Sequence, residues 1–341
     1  MQAYQIKAGQ QIAGLELVQR PLTPPGPYDV RMRVHAVSLN YRDLMIADGR
    51  YTNVAPGPVV PCSDGAGEVI AVGSQVTRFQ VGDRVAACFF PHWGHGAPTP
   101  QTTAGSLGGS LDGMLAEEAV LHEQALVTIP AHLDYIEAAT LPCAAVTAWN
   151  ALFAEGRLKP GDSVLLLGSG GVSVWALQLA KAAGLRAIIT SSGDAKLERA
   201  RALGAAATIN YKATPEWQEE ALRLTAGAGV DLVLEVGGEG TLSRSIASVR
   251  MGGTVAIIGG LSGGGGEINL RALIRAQING CKRLSGIFVG SRAMFEDLNR
   301  FLSVAGIRPV VDRVFPFAQA RDAYEYLQSA AHFGKVVIEI R

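Results

Sequence analysis

The sequence predicts an α/β protein that combines a doubly wound parallel sheet with a smaller β-rich module. From Gly161 onward, short apolar segments alternate with stretches of helical periodicity, which is the order expected of parallel strands with helices on both faces. Before about residue 128, short alternating strands are instead separated by Gly and Pro turns. A chain of 341 residues is also long for a single core, so we expect two domains.

The first strand and helix of the parallel sheet enclose a glycine turn within Ser163 to Gly184 (SVLLLGSGGVSVWALQLAKAAG). The apolar run 164–167 predicts a buried strand, and apolar residues recur at helical spacing from Val172. Three glycines lie between them: Gly168, Gly170 and Gly171. Ser173 replaces the third glycine of the G-x-G-x-x-G pattern, which serves helix packing. Because glycine lets backbone N–H groups and a helix N terminus approach two phosphates, we expect a dinucleotide here.

Further strands are predicted in both parts of the chain. The six strands predicted for the parallel sheet are Val164–Leu167, Ala187–Thr190, Ala207–Asn210, Asp231–Val236, Thr254–Ile258 and Leu284–Val289. Those of the β-rich module are Asp29–Val37, Gly67–Val72 and Asp83–Ala87. Two amphipathic stretches after Ser291 and a last strand, Lys335–Ile340, are expected to rejoin this module. The Gly-, Pro-, Ser- and Thr-rich segment Pro91–Gly113 predicts a surface loop or a flap over a cleft.

Composition excludes several classes of function. Lys and Arg total 30 and Asp and Glu total 30, so no net positive field attracts nucleic acid or an anionic membrane. The four cysteines lack C-x-x-C spacing, no apolar run reaches membrane length, and the start of the sequence lacks a signal pattern. We therefore expect a cytoplasmic protein without nucleic-acid or membrane partners that acts on a small, nearly neutral substrate.

Motifs along nearly the whole chain support a more specific interpretation. Besides the glycine turn, they are VSLNYRDL at 37–44, DGAGEVIAVG at 64–73, VGDRV at 81–85, LPCAAVTAW at 141–149 and HFGKVVI at 332–338. Together they resemble the medium-chain dehydrogenase/reductase superfamily, specifically its zinc-lacking quinone oxidoreductase-like branch. The resemblance implies a discontinuous GroES-like catalytic domain, residues 1–128 and 288–341, and a Rossmann domain, residues 129–287. It also implies an active site in the cleft between them and a homodimer that joins two sheet edges.

The resemblance also shows where zinc-containing members carry their catalytic metal. The positions that they fill with Cys, a His-Glu pair and Cys correspond here to Asn40, to Ser63 and Asp64, and to Cys143. Zinc prefers about four N or S donors in a tetrahedron, and one thiol cannot supply them. We therefore expect no metal.

Cofactor choice depends on the end of the second Rossmann strand. An acidic residue there would accept hydrogen bonds from the adenosine ribose and repel a 2′-phosphate. This strand ends instead at Ser191 and Ser192, and Lys196 follows. Hydroxyls and a cation favour a phosphate, so we expect NADP(H), although Lys196 also fits a solvated helix face. Tyr211 is expected beside the adenosine end, or else as a half-buried strand tyrosine.

Other residues are assigned to the dinucleotide from the resemblance and from their places after strands. Thr147 is expected beside the nicotinamide ring. Further residues expected along the cofactor are Val172, Val236, Ile258, Gly259, Phe288, Gly290 and Ser291.

Without a metal, a carbonyl reduction needs a hydride donor and a group that stabilises the developing oxyanion or enolate. Asn40 can donate an amide hydrogen bond, and Tyr51, in the G-x-Y motif at 49–51, can donate a proton. The alternative for Tyr51 is an exposed loop aromatic, and Asp43 is expected to orient its neighbours or to pair with Arg42. An apolar substrate pocket is expected from Phe89, Phe90 and Trp93, although core packing explains two of the three equally well.

Three functions follow from these assignments. The leading hypothesis is an NADPH-dependent, metal-independent reductase that acts on a conjugated carbonyl such as a quinone or an enone. The first alternative is an alcohol dehydrogenase that uses the same pocket. The second is a non-catalytic NADPH-binding or structural protein.

Overall fold

The computed structural model describes residues 1–261 and 270–340. The chain forms two compact units, Met1–Val146 with Val289–Arg341, and Thr147–Phe288.

The described strands, in chain order, are β1 Gln2–Gln5, β2 Glu16–Gln19, β3 Asp29–Ser38, β4 Asp64–Val72, β5 Arg84–Ala87, β6 Glu118–His122, β7 Leu126–Thr128, β8 Ser163–Leu166, β9 Arg186–Ser191, β10 Ala207–Asn210, β11 Val230–Glu235, β12 Val249–Ile257, β13 Arg283–Gly286, β14 Val311–Pro316 and β15 Lys335–Glu339. The α-helices are α1 Tyr41–Ala47, α2 Tyr135–Ala138, α3 Val146–Trp149, α4 Gly171–Ala182, α5 Asp194–Ala202, α6 Trp217–Leu224, α7 Leu242–Ser248, α8 Leu270–Gly280, α9 Arg292–Ala305 and α10 Ala320–Gln328. Short 3₁₀ turns span Ile12–Gly14, Glu123–Ala125 and Phe317–Gln319, and π-helical turns span Leu141–Ala145 and Asn150–Ala154.

The first unit is built on a seven-stranded sheet of order β14-β15-β3-β4-β5-β7, in which β6 also pairs with β3. On β3 the apolar residues Val30, Met32 and Val34 are buried, as their alternation predicts. The sheet packs on an apolar core to which α10 contributes the fully buried Tyr324. Because β15 pairs with β3, the C-terminal strand rejoins this unit as predicted.

One strand of this sheet begins earlier than expected. β4 starts at Asp64 rather than at Gly67, and its first residues pair with the end of β3. The glycines of DGAG lie within this strand, and a side chain at Gly67 would clash with the Arg33 carbonyl oxygen. The close approach of two strands therefore explains why residue 67 is a glycine. Because β4 begins at residue 64, Asp64 belongs to the sheet.

The second unit contains a six-stranded sheet of order β10-β9-β8-β11-β12-β13. Neighbouring strands are parallel, which confirms the doubly wound sheet, with β8 at its centre and β13 at one edge. Its strands overlap the predicted ones, but β12 begins at Val249 rather than at Thr254, and β13 ends at Gly286 rather than at Val289. Val289 has a φ of 53°, in the left-handed region, so the chain leaves the strand direction there.

The first boundary between the units lies later than expected. Residues 129–146 belong to the first unit, because α2 packs on β3, β4 and β15, and the π-helical turn Leu141–Ala145 packs on β4 and β5. The sequence placed this boundary at residue 128, where the short strands end. The second boundary, between Phe288 and Val289, lies one position beyond the expected one.

Candidate active site

The start of α1 organises a buried polar cluster in the first unit. Asn40 precedes the helix in an extended conformation, and its backbone N–H donates to Asp43 Oδ2 over 2.8 Å. Such an interaction satisfies one of the unpaired N–H groups at a helix start. Asp43 is 2% exposed, and burial raises its pKa to about 6 against the opposing charge of Arg42.

A lysine from the opposite end of the sequence completes this cluster. Lys335, the first residue of β15, donates from Nζ to Leu39 O and to Asn40 Oδ1, each over 2.6 Å. Its Nζ also lies 3.9 Å from Asp64 Oδ2. The two charged side chains are 3% and 0% exposed, so each ion needs the other to offset its loss of hydration.

Asp64 links this cluster to the segment before α3. It accepts hydrogen bonds from Ser63 Oγ at 2.6 Å and from the Cys143 backbone N–H at 3.2 Å. Burial raises the pKa of Asp64, while Lys335 and these hydrogen bonds favour its carboxylate form. The structure thus brings together Asn40, Ser63, Asp64 and Cys143, as the aligned motifs predict, and adds Lys335, which the sequence analysis did not select.

Tyr51 lies beside a buried arginine. Its half-buried ring has its centroid 5.1 Å from Arg42 Cζ, and the Phe89 ring centroid lies 4.5 Å from the same carbon. Arg42 donates from Nη1 to Leu107 O over 2.7 Å and from Nη2 to Ser106 Oγ over 2.9 Å. Arg42 therefore stacks between two rings and anchors the glycine-rich segment, rather than serving only as a partner of Asp43.

The glycine-rich segment is not simply a surface loop. Residues 105–109 are buried, and a side chain at Gly109 would clash with Arg42 Nη2. The Ala55 N–H donates to Gly109 O over 3.0 Å, which joins this segment to the stretch that follows Tyr51. A segment without regular secondary structure can therefore be buried where a charged side chain satisfies its polar groups.

The three aromatic residues predicted for the substrate pocket are adjacent and buried, with exposures of 3% for Phe89, 1% for Phe90 and 2% for Trp93. Phe89 and Phe90 meet edge to face with ring centroids 4.6 Å apart. Trp93 Nε1 donates to Gly96 O over 3.0 Å. This packing suits core residues of the first unit, and a role in substrate binding stays a prediction.

The glycine turn of the second unit has the backbone that phosphate binding requires. Gly168 has a φ of 73°, and its N–H donates to Thr190 Oγ1 over 3.0 Å. Side chains at Gly168 or Gly170 would meet nothing within 4 Å, and no side chain caps the start of α4. Ser173 Oγ donates to Leu167 O over 2.6 Å, so this serine ties helix to strand where the pattern has its third glycine. The turn therefore fits a dinucleotide pyrophosphate.

The end of β9 carries no acidic residue. Ser191 is 2% exposed, and its hydroxyl shares a 3.0 Å hydrogen bond with Ser169 Oγ in the glycine turn. The Tyr211 N–H donates to Ser191 O over 3.2 Å, and 40% of Tyr211 is exposed. Ser192 directly follows β9, Lys196 lies in the first turn of α5, and both are half-buried. Ser191 is thus engaged within the protein, and contact of these residues with the cofactor stays a prediction.

A buried carboxylate that sequence reasoning missed organises the loop after β11. Glu235 is fully buried and accepts hydrogen bonds from the N–H groups of Gly237 and Gly238, at 2.6 and 2.9 Å. It also accepts from Thr241 Oγ1 at 2.6 Å and from Ser245 Oγ. An acidic residue at the end of an apolar strand, followed by Val-Gly-Gly, was the available signal.

Val236, Ile258 and Gly259, which were assigned to the nicotinamide, follow the carboxyl ends of the adjacent strands β11 and β12. The Leu261 N–H donates to Val236 O over 3.0 Å, which joins the two loops. Ligands of doubly wound sheets bind at such strand ends. Val172 lies in the first turn of α4, next to the glycine turn.

Two of the four remaining cofactor candidates, Gly290 and Ser291, have local structural roles that do not involve a ligand. Thr147 is 2% exposed and Phe288 is 46% exposed. A side chain at Gly290 would lie 2.7 Å from Val146 Cγ1, which explains a glycine there. Ser291 caps α9 by accepting the Met294 N–H at 3.3 Å. Contact of these four residues with the cofactor stays a prediction.

Comparisons with known proteins identify the family of this chain. Residues 26–131 match the alcohol dehydrogenase GroES-like domain, and residues 171–304 match the zinc-binding dehydrogenase family. A zinc-type alcohol dehydrogenase-like protein of Schizosaccharomyces pombe is 49% identical over 92% of this chain and 91% of its own. A quinone oxidoreductase of Pseudomonas aeruginosa is 32% identical, over 92% of each chain. This chain belongs to the medium-chain dehydrogenase/reductase superfamily.

A solved structure supports the same assignment. A putative alcohol dehydrogenase from Sinorhizobium meliloti superposes with a TM-score of 0.90 at 40% identity, over 99% of both chains. The GroES-like and Rossmann components are therefore those of a superfamily oxidoreductase that uses a nicotinamide cofactor. Among the described residues, no helix is both long and apolar enough to cross a membrane.

The superfamily's zinc chemistry does not fit the residues present. At the positions that hold the metal in zinc-containing members, Asn40 Oδ1 accepts the Lys335 ammonium, and Asp64 faces the same cation. In the part of the chain that the structure describes, no three His, Cys, Asp or Glu residues are arranged to hold a metal ion. Zinc prefers a different set of donors from the amide, hydroxyl, carboxylate and single thiol that Asn40, Ser63, Asp64 and Cys143 supply.

Proposed function

We propose that this protein is a zinc-independent reductase that uses NADPH to reduce a small, apolar conjugated carbonyl compound such as a quinone or an enone. The observation that carries the proposal is the cluster of Asn40, Lys335 and Asp64. It offers hydrogen-bond donors and an internal cation at the positions where other superfamily members have metal ligands.

The second unit supports the cofactor part of the proposal. The backbone N–H groups of Gly171 and Val172 at the uncapped start of α4 bind the pyrophosphate, and Gly168 and Gly170 leave room for it. Ser192 and Lys196 bind the 2′-phosphate, because no carboxylate at the end of β9 repels it. The bound nicotinamide supplies a hydride.

The first unit supplies groups that respond to the charge formed in the reaction. The Asn40 amide donates a hydrogen bond to the substrate oxygen as it becomes negative, and the Tyr51 hydroxyl donates a proton. Arg42 holds the Tyr51 ring in place. We further propose that Phe89, Phe90 and Trp93, which are buried in this structure, lie behind an apolar substrate pocket that favours an uncharged substrate.

A substrate panel tests this proposal. NADPH oxidation is followed with quinones, enones, and saturated aldehydes and ketones, each at matched concentration. The proposal expects turnover with the conjugated carbonyls and at least tenfold lower kcat/KM with the saturated ones. Preference for the saturated carbonyls would instead identify an alcohol dehydrogenase, and NADPH binding without turnover of any compound would identify a non-catalytic protein.

A further inference from the structure

Lys335 determines which way the side-chain amide of Asn40 faces. An ammonium group carries hydrogen-bond donors and no acceptor, whereas an amide has an acceptor oxygen at one end and two N–H donors at the other. Because Lys335 Nζ lies 2.6 Å from the Asn40 side chain, only the oxygen end can face it. The NH₂ end must therefore face away from the lysine.

The NH₂ end is buried and unsatisfied. Asn40 Nδ2 makes no hydrogen bond of normal length with any described residue. The amide also acts on Asp64 as a hydrogen-bond donor that favours its carboxylate form, although outside normal hydrogen-bond geometry, and an NH₂ group has a second N–H to donate. A buried donor without a partner costs about 1–3 kcal/mol, so native structures retain few of them.

The charge and burial of Lys335 suit a residue that acts through Asn40. Its side chain is 3% exposed, and its protons are directed at Leu39 O and Asn40 Oδ1. Asp64 offsets its charge from 3.9 Å. The lysine is therefore held inside the first unit and has no free face with which to bind a substrate.

We propose that Lys335 is a positioning residue, whose ammonium holds the Asn40 amide so that Nδ2 donates to the substrate oxygen. The inference rests on the proposed function and adds a role for a residue outside the reacting groups. It also explains why the cation of Lys335 is buried here. Without it, the Asn40 amide could rotate by half a turn and present its oxygen to the developing anion, which would repel that anion.

A double-mutant cycle on turnover tests this role. Lys335→Met should lower kcat at least tenfold with NADPH and the best quinone, while the Kd for NADPH changes less than twofold. Asn40→Ala should lower kcat by about 10²–10³, the usual effect of losing one such donor. The kcat of the double variant should be within twofold of that of Asn40→Ala, because Lys335 has no amide to position once Asn40 is replaced. A double variant whose loss of kcat is the product of the two single losses, or a parent-like kcat in Lys335→Met, would overturn the proposal. Lys159 is exposed, so Lys159→Met serves as the control and should behave as the parent.

A second measurement does not depend on activity. Hydrogen exchange of the Asn40 side-chain NH₂, followed by NMR in asparagine-labelled protein, should be at least tenfold faster in Lys335→Met than in the parent. If Lys335→Met does not fold, Lys335→Gln replaces it in both experiments, since glutamine can bind either end of the amide and should also release it. Unchanged exchange would refute the positioning role. A parent enzyme that reduces no quinone but shows the exchange effect would refute only the proposed function.

Discussion

The proposed proton transfer depends on the hydroxyl oxygen of Tyr51, so a substitution that removes this one atom tests it. Hydride addition to a conjugated carbonyl leaves an enolate, which must be protonated, and a phenol can supply that proton. Tyr51→Phe should lower kcat by roughly 10²–10⁴ and leave the Kd for NADPH nearly unchanged. Exposed Tyr28→Phe is the matched control and should have no effect. A loss of less than about tenfold would mean that water supplies the proton and that Tyr51 only shapes the site.

Asp43 should make the stability of the protein depend on pH. Its pKa is raised to about 6, so between about pH 4 and pH 6 the folded state binds more protons than the unfolded state. The free energy of unfolding should therefore decrease as the pH rises through this range, by on the order of 2–3 kcal/mol from this group. Asp43→Asn keeps an oxygen for the Asn40 N–H and should remove this decrease.

Urea unfolding at a series of pH values measures this dependence. The exposed Asp48→Asn variant serves as the control and should follow the parent. The prediction would be contradicted if the parent's free energy of unfolding increased from pH 4 to pH 6 and Asp43→Asn showed the same profile. Other carboxylates would then dominate the pH dependence of stability.

Whether a residue's role could be predicted depended on how local its interactions are. The glycine turn was predictable, because strand, glycines and helix are consecutive, and Ser173 acts within six residues of its partner. Lys335 was not selected, because its partner Asn40 lies 295 residues away and only the antiparallel pairing of β15 with β3 brings them together. Its motif, HFGKVVI, was visible but served only to indicate the family.

At the scale of elements, we propose that the end of β9 determines the preference for NADPH over NADH. NADPH should bind at least tenfold more tightly than NADH, about 1.4 kcal/mol, because no carboxylate meets the 2′-phosphate. Ser191→Asp should reduce or reverse this preference, whereas Ser191→Ala, which removes only the hydrogen bond to Ser169, should retain it. Fluorescence titrations with both cofactors measure the two dissociation constants. Equal constants in the parent, or an unchanged ratio in Ser191→Asp, would contradict the assignment.

Element boundaries were less predictable than the elements themselves. The alternation of apolar residues located β3 and the strands of the parallel sheet, but β4 was expected to begin at Gly67 and begins at Asp64. Only the neighbouring strand shows why glycine is required at Gly67. The segment 91–113 was assigned to the surface for a similar reason, because its interior anchor, Arg42, belongs to another part of the sequence.

At the scale of the whole molecule, we propose a homodimer. β13 is an edge strand of the six-stranded sheet, so one side of its backbone has no partner strand among the described residues. Pairing of two such edges would make one continuous sheet. Sedimentation should give a mass of about twice 35.8 kDa at micromolar concentration. Replacing Leu284 of β13, whose backbone N–H points away from β12, by proline should weaken association, and a monomeric parent would contradict the proposal.

The central claim is that hydride reduction by this protein needs no zinc, and metal analysis combined with activity tests it most directly. The purified enzyme is dialysed against a chelator, its zinc content is measured by elemental analysis, and NADPH oxidation with the best quinone is recorded before and after. The cluster of Asn40, Lys335 and Asp64 predicts far less than one zinc per chain and unchanged activity. One zinc per chain, or activity that is lost in chelator and restored only by zinc, would contradict it.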